Sequence, residues 1–319
     1  KVKHAYDLVT DFALVLQMAF AGTRGFNHVS LVPGRPLNVM LAVKAIDFDD
    51  AFRICGKPAA FEHKYDGFRV VISYDGKEVR LFTRRLEEVT KQFPDIVSFV
   101  KSHIKGKSFI VDSEAVGYDI NTKKYRPFEA ISQRIKRKHD IDKLVDSLPV
   151  ELNVFDVLYL NGENTVSLPF HERRKLLEKI VKEEQWKIRL AKQIVTDDLK
   201  KVEEFYKCAL KIGEEGIMIK KIDAPYKPGR AVGYMAKLKP NVADLDLVIV
   251  GAEYGTGKRS GGLTSFTVAC RSNGDFLELG KVSSGLKEKE SEEGTTYSEL
   301  DDILQPIVLK RNGNSVTVK

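Results

Sequence analysis

Lys64 lies in the run Phe61-Glu62-His63-Lys64-Tyr65-Asp66-Gly67-Phe68-Arg69, with apolar residues before and after it. Pro58 marks a strand start ahead of Ala59, Ala60 and Phe61, and Arg69-Val70-Val71-Ile72-Ser73-Tyr74 has the β-branched richness of a buried strand. The lysine is therefore expected at a bend between two strands, where its side chain can enter a cavity under backbone control. A surface lysine in an ordinary turn also fits, because a Lys-x-Asp-Gly match arises by chance in roughly one chain of this size in fifteen. Four further segments bear on it. Phe82-Thr83-Arg84-Arg85 ends in paired cations, and Val111-Asp112-Ser113-Glu114-Ala115-Val116 carries carboxylates into an apolar strand. Glu214-Glu215-Gly216-Ile217-Met218-Ile219-Lys220 does so again, and Met235-Ala236-Lys237-Leu238-Lys239 puts two lysines on one face by the two-residue period of a strand. Interior carboxylates and lysines are costly unless they pair or hold a ligand. Any one of these segments taken singly is equally well a structural ion pair.

The elements that must position these residues follow from periodicity and turn chemistry. Residues 1 to about 30 read as helical, with Leu8, Val9, Phe12, Val15, Leu16 and Phe20 among a broad apolar face, and Gly22 and Gly25 ending it. The segment is too short to bury that face alone and is expected to pack on chain outside this sequence. Val32-Pro33-Gly34-Arg35-Pro36 reads as a turn-rich linker and a domain boundary. From Leu37 to Pro240 strands and helices mix. Strands over Arg69–Tyr74 and Glu78–Thr83 flank an Asp75-Gly76 hairpin turn, and further strands are expected at Ser108–Tyr118, Leu152–Leu160, Glu215–Lys221 and Gly233–Lys239. Helices are expected over Phe93–Ile104, Phe170–Glu184 and Thr196–Ile212. Glu129–Leu148 carries the basic run Arg134, Lys136, Arg137, Lys138 and His139, read first as a solvated helix face and second as a phosphate-tracking surface. After Pro240 five short strands separated by Gly, Ser and Asn turns have the cadence of a small all-β barrel, and the chain ends on what reads as an unfinished strand. No internal repeat is present.

Composition narrows the function classes. The chain has 319 residues, 43% hydrophobic and 30% charged, which suits a globular protein with more than one core. No apolar run is long enough to span a bilayer, and no secretory segment follows the first residues. Cys55, Cys208 and Cys270 are scattered without metal or disulfide spacing, and the six histidines are equally dispersed, so neither a zinc site nor a His-based metal centre is expected. The net charge of +7 suits a polyanionic partner. Gly255-Thr256-Gly257-Lys258-Arg259-Ser260-Gly261-Gly262 lacks the phosphate-loop spacing and reads as a mobile basic loop at the start of the barrel.

Together, Lys64–Arg69, Phe82–Thr90, Asp112–Asp119, Asn153–Gly162, Glu215–Lys220 and Lys237–Lys239 resemble, in order, the nucleotidyltransferase motifs of ATP-dependent DNA ligases, especially the replicative type of archaea and eukaryotes. Tyr226-Lys227-Pro228-Gly229-Arg230 is similar to the ligase segment ahead of the final lysine motif, and the helical start to the last part of the ligase DNA-binding domain. The resemblance runs from about residue 33 to the end. It implies an α+β fold: a nucleotidyltransferase of ATP-grasp-like antiparallel sheets with flanking helices, then a partial all-β OB-fold barrel. The implied domains are 1–32, 33–240 and 241–319.

The resemblance also implies roles. Lys64 would attack the α-phosphate of ATP, carry AMP as a phosphoramidate, and pass it to the 5′-phosphate of a nick in duplex DNA, where the 3′-hydroxyl displaces it. A free lysine is neutral in only about one part in 2,500 at pH 7, so the site is expected to lower the Lys64 pKa by desolvation and by cations such as Lys237, Arg84 or a metal. Glu62 would read the adenine amino group and Phe155 would stack on the base, although a plain core aromatic also fits Phe155. Arg69 and Glu114 would hold the ribose region, Arg84 the phosphate, and Glu114 and Glu215 Mg²⁺. Lys237 and Lys239, with Arg230 nearby, would neutralise phosphate charge. Implied partners are nicked DNA and, left open, a sliding clamp; a monomer is expected, off membranes and inside the cell, cytoplasmic in an archaeon and nuclear in a eukaryote. Two departures stand out. Met235-Ala236 replaces the Trp and Leu of many relatives, and the family's Arg-x-Asp-Lys segment is absent from these residues, which implies weaker self-loading by this stretch alone. An RNA ligase or capping guanylyltransferase shares Lys-x-Asp-Gly, and a non-catalytic nucleic-acid-binding module would keep the fold.

Overall fold

The computed structural model describes residues 1–319 apart from 27–28, 138, 140, 231, 241–243 and 289–293, and apart from the side chains of His4, Thr23, Arg24, Arg230 and Lys258. Contacts group the chain into two compact units, Lys1–Pro240 and Asn241–Lys319. No helix of the described residues is long and apolar enough to cross a membrane.

In the first unit, alternation of apolar and charged residues builds two sheets with one cavity-facing side each. The first sheet has the strand order Gln193–Thr196, Ala59–Lys64, Gly216–Lys221, Met235–Leu238, Val43–Lys44. Glu62 lies opposite Gln193 and Met218, and Met218 lies opposite Lys237, so one row of side chains crosses four strands on one face. The other face carries Phe61, Ile217, Ile219, Ala236 and Leu238, which pack with Ala51, Phe52 and Cys55 of helix Phe48–Cys55 and with Val202, Phe205 and Ala209 of helix Leu199–Lys211.

The second sheet has the order Val79–Thr83, Phe68–Tyr74, Phe109–Gly117, Val150–Leu160, Glu163–Asn164. Phe68, Val70, Ile72, Val111, Ala115 and Val154 face a core shared with Ile96 and Val100 of helix Pro94–His103 and Leu177 of helix Phe170–Ile180. The alternate residues Arg69, Asp112 and Glu114 point to the other side. The expected hairpin at Asp75-Gly76 forms, with Asp75 Oδ1 accepting from the Lys77 and Glu78 amides at 2.8 Å.

Several expectations change in three dimensions. The helical start is two helices, Val2–Val9 and Phe12–Phe20, broken at Thr10, which adopts φ 47°. Ala5, Leu8, Val9 and Val15 are buried against Leu37, Val71, Phe82, Ile110 and Leu158 of this chain, so half of the apolar face is covered within the unit, while Phe12 (74%) and Phe20 (83%) remain exposed. Arg134 is not on a solvated face. It is fully buried in helix Phe128–Lys136 and holds Asp95 through two hydrogen bonds of 2.7 and 2.9 Å, because the helix turns that one basic residue inward. Lys138 of the same basic run lies outside the described residues. Thr196 ends a strand, and the expected helix begins only at Leu199, after the Asp198 cap.

The second unit is a five-stranded antiparallel sheet, order Asp275–Val282, Leu263–Ser272, Val248–Tyr254, Ser315–Val318, Val308–Asn312. Helix Tyr297–Leu304, which the sequence reading missed, enters through a capping box formed by Thr296 and Glu299. Leu304 joins Ala252, Leu263, Phe266, Val316 and Val318 in its core.

The buried Arg173–Asp156 pair ties helix Phe170–Ile180 to the second sheet through bonds of 2.7 and 3.0 Å. Arg173→Ala leaves Asp156 charged and unpaired in the interior, so unfolding of the first unit is expected to become easier by about 3–5 kcal/mol, read from the denaturant midpoint.

Candidate active site

A cavity of about 830 Å³ in the first unit is lined by residues of both sheets, among them Glu62, Lys64, Arg69, Glu114, Phe155 and Lys237. Lys64 is the last residue of its strand, and its Nζ lies 2.6 Å from Glu215 Oε2. Lys239 pairs with the same oxygen. The arrangement is fixed by the backbone, since the Glu215 amide donates to the Lys64 carbonyl at 2.9 Å and Gly216 lies opposite Lys64 in the sheet. Two glycines are required there. A Cβ at Gly67 would sit 2.3 Å from the Ala115 carbonyl oxygen, so the bend after Lys64 can approach the Glu114 strand only without a side chain. Gly216 has φ 139°, and a Cβ there would meet the Leu238 carbonyl oxygen at 2.2 Å.

Two further ion pairs, Glu62 with Lys220 and Arg69 with Asp112, lie at the cavity. Glu62 is 2% exposed and its Oε2 lies 2.6 Å from Lys220 Nζ. Lys220 in turn stands 4.6 Å from the ring centres of Phe155 and Phe170. Arg69 forms a fork on Asp112, Nε to Oδ1 at 2.9 Å and Nη2 to Oδ2 at 2.5 Å, and its Nη1 donates to the Met40 carbonyl at 2.7 Å. Tyr226 closes this network, its hydroxyl donating to Asp112 at 2.8 Å and accepting from the Met40 amide at 2.9 Å.

Electrostatics follow from burial and these neighbours. Burial pushes the Glu114 carboxyl up to about 8 against the pull of Lys64 and Arg69. Glu214, which accepts from the Asp66 amide through one oxygen and whose Oε1 has no hydrogen-bond partner among the described residues, is likewise raised by burial to about 8. Burial and the adjacent Glu215 raise Asp66. Glu215 goes the other way: burial opposes ionisation, but Lys239 and Lys64 overcome it and bring it to about 2. Burial, then repulsion from Lys64, Lys239 and Arg84, lowers Lys237.

The structure thus brings Glu62, Lys64, Arg69, Arg84, Glu114, Phe155, Glu215 and Lys237 to one cavity, and attaches Lys239 through Glu215. The side chain of Arg230 lies outside the described residues. Among the described residues no group of three or more His, Cys, Asp or Glu side chains is placed to hold a metal ion. Glu114 and Glu215 both line the cavity with hard oxygen donors, and Mg²⁺ is an ion that keeps several waters and takes few protein ligands. Sequence reasoning passed over Lys220, Tyr226 and Gln193 as site residues. The signal for Lys220 was available: a lysine at strand period from Met218, in a strand able to pair with the one bearing Glu62.

Two sheets facing a charged cavity, with helices on their outer faces, define a nucleotidyltransferase fold, here followed by a five-stranded sheet of OB type. The family model for the ATP dependent DNA ligase domain matches residues 39–239, and the chain belongs to that family. Over its whole length it is 50% identical to the DNA ligase of Nanoarchaeum equitans (strain Kin4-M), covering 57% of that protein, and 41% identical to the DNA ligase of Thermococcus fumicolans, covering 56%. The chain therefore spans just over half the length of these relatives. A solved structure from work on Lig E DNA ligases shares the fold at a TM-score of 0.51 and 18% identity, over 81% of this chain and 89% of that one.

The raised Glu214 carboxyl makes a signed prediction. A group whose folded pKa lies above its unfolded value leaves the folded state binding more protons between the two, so stability is lost as pH rises from about 4.5 towards about 8. Glu214→Gln, which cannot ionise, is expected to unfold at the wild-type midpoint near pH 4 and at a higher midpoint at pH 8. A difference that shrinks with rising pH contradicts this.

Proposed function

We propose that the whole protein to which this chain belongs is an ATP-dependent DNA ligase that seals nicks in duplex DNA, with Lys64 as the covalent carrier of AMP. The observation that carries the reading is the position of Lys64: at the end of a strand, at the cavity wall, against Glu215 and beside Lys237. In the first step Lys64 gives up its proton to water, and the resulting amine attacks the α-phosphorus of ATP. A nitrogen–phosphorus bond forms, the bond to the bridging oxygen breaks, and pyrophosphate leaves. In the second, a 5′-phosphate oxygen at the nick attacks the same phosphorus, and Lys64 departs with a proton regained. In the third, the 3′-hydroxyl attacks the 5′-phosphate and AMP is released.

Each cavity group has a matching task. Glu62, held as an acceptor, suits the adenine amino group, and Phe155 offers a ring face to the base. Arg69, fixed by Asp112, Met40 and Tyr226, suits the ribose side. Arg84, Lys237 and Lys239 supply positive charge where phosphate charge develops. Glu114 and Glu215 are the residues that would hold Mg²⁺, which would add positive charge at the phosphates. The two helices of residues 1–32 are assigned to the end of a helical DNA-binding domain, residues 33–240 to the adenylation domain, and residues 241–319 to part of an OB-fold domain; the net charge of +7 supports a DNA partner.

Incubation of the full-length protein with α-labelled ATP and Mg²⁺, followed by denaturing electrophoresis, is expected to leave label on the protein. The label should be absent from Lys64→Ala and should move to a nicked duplex on chase. Labelling by GTP in place of ATP, or undiminished labelling of Lys64→Ala, refutes the reading.

A further inference from the structure

Glu62 is held from behind by a residue that does not line the cavity. Its Oε2 pairs with Lys220, and its Oε1 accepts a hydrogen bond of 2.8 Å from Gln193 Nε2. Gln193 begins the edge strand Gln193–Thr196 and lies directly opposite Glu62 in the register, which presses amide against carboxylate. An ionised carboxylate only accepts, so the amide must present its NH₂ side, and its orientation is fixed. A second cation stands near Glu62 but beyond hydrogen-bonding distance. Arg174 Nη1 stands 3.9 Å from Glu62 Oε1 but donates to the Ala191 carbonyl at 2.9 Å, and its Nε donates to Glu178 at 3.0 Å. Lys220 alone would leave Glu62 one anchored oxygen and freedom to rotate about its terminal torsion, which is a soft one.

We propose that Gln193 is a positioning residue that sets discrimination between purine bases, by locking the Glu62 carboxylate in the plane that accepts from an exocyclic amino group. The inference rests on reading the cavity as an ATP site. A 6-aminopurine presents an N–H donor to a fixed carboxylate, whereas a 6-oxopurine presents an acceptor oxygen, which the same carboxylate repels. A carboxylate free to swing aside loses both effects. Discrimination by a site built to pair one group is large because the wrong group leaves buried polar atoms unpaired.

The test is equilibrium binding of ATP and of GTP to the full-length protein and to its Gln193→Met and Gln193→Glu variants. Gln193→Met keeps the side-chain length and removes the donor. It is expected to weaken ATP binding about tenfold, the worth of one charge-assisted hydrogen bond, and to leave GTP binding within about twofold, so that the ATP-to-GTP ratio falls. Gln193→Glu sets two carboxylates opposite one another and is expected to lower the ratio further. A merely structural role would weaken both nucleotides alike. Equal losses for ATP and GTP, or a ratio unchanged in both variants, overturn the proposal. Absence of ATP binding by the full-length wild-type protein overturns the reading of the cavity and this inference with it, whereas ATP binding with an unaltered ratio overturns this inference alone.

Discussion

Charges brought together in a partly enclosed space must be matched, and that requirement organises the first unit. Lys64 and Lys239 meet Glu215, Lys220 meets Glu62, and Arg69 meets Asp112. Breaking such a pair by removing one partner strands a charge in a poorly solvated place. The pairs therefore fix side-chain positions more than they add stability. Lys220–Glu62 and Arg69–Asp112 join different strands, and Glu215 and Lys239 stand directly next to strand ends, so the geometry of the cavity is set by sheet register.

The register in turn depends on what lies behind the sheets. Helices Phe48–Cys55 and Leu199–Lys211 cover the first sheet, and Pro94–His103 and Phe170–Ile180 cover the second. A shift of one residue in any central strand would turn its charges into these apolar cores and its apolar residues into the cavity. Burial of the helices thus holds the chemistry in place from a distance. Gly67 and Gly216 act at the other end, allowing the Lys64 bend and the Glu215 strand to approach neighbouring backbone without a Cβ.

The site is also uneven by design of its surroundings. Two lysines draw Glu215 down to about 2, while burial lifts Glu114 and Glu214 to about 8. Neighbouring carboxylates of one type consequently differ in charge near neutrality, a separation common where groups have distinct tasks. In the proposed reaction the ion pairs of Lys64 and Lys239 must exchange partners, because phosphate charge enters beside them.

The sequence by itself determined most of the strands and the cast. Strand alternation put Glu62 with Lys64, Asp112 with Glu114, and Lys237 with Lys239 on common faces, because side-chain direction along a strand is a local, two-residue property. The order of motifs was enough to suggest the family. The tertiary structure alone decided the partners. That Arg134 is a buried clamp on Asp95, that Leu8 and Val15 find cover within the chain, and that Lys220, Tyr226 and Gln193 secure Glu62 and Arg69 are facts about residues far apart in sequence. Pairing across strands depends on sheet order and register, which long-range packing selects and no local pattern encodes. Lys64 could be picked out as a lysine at a bend; only the fold placed Glu215 against it.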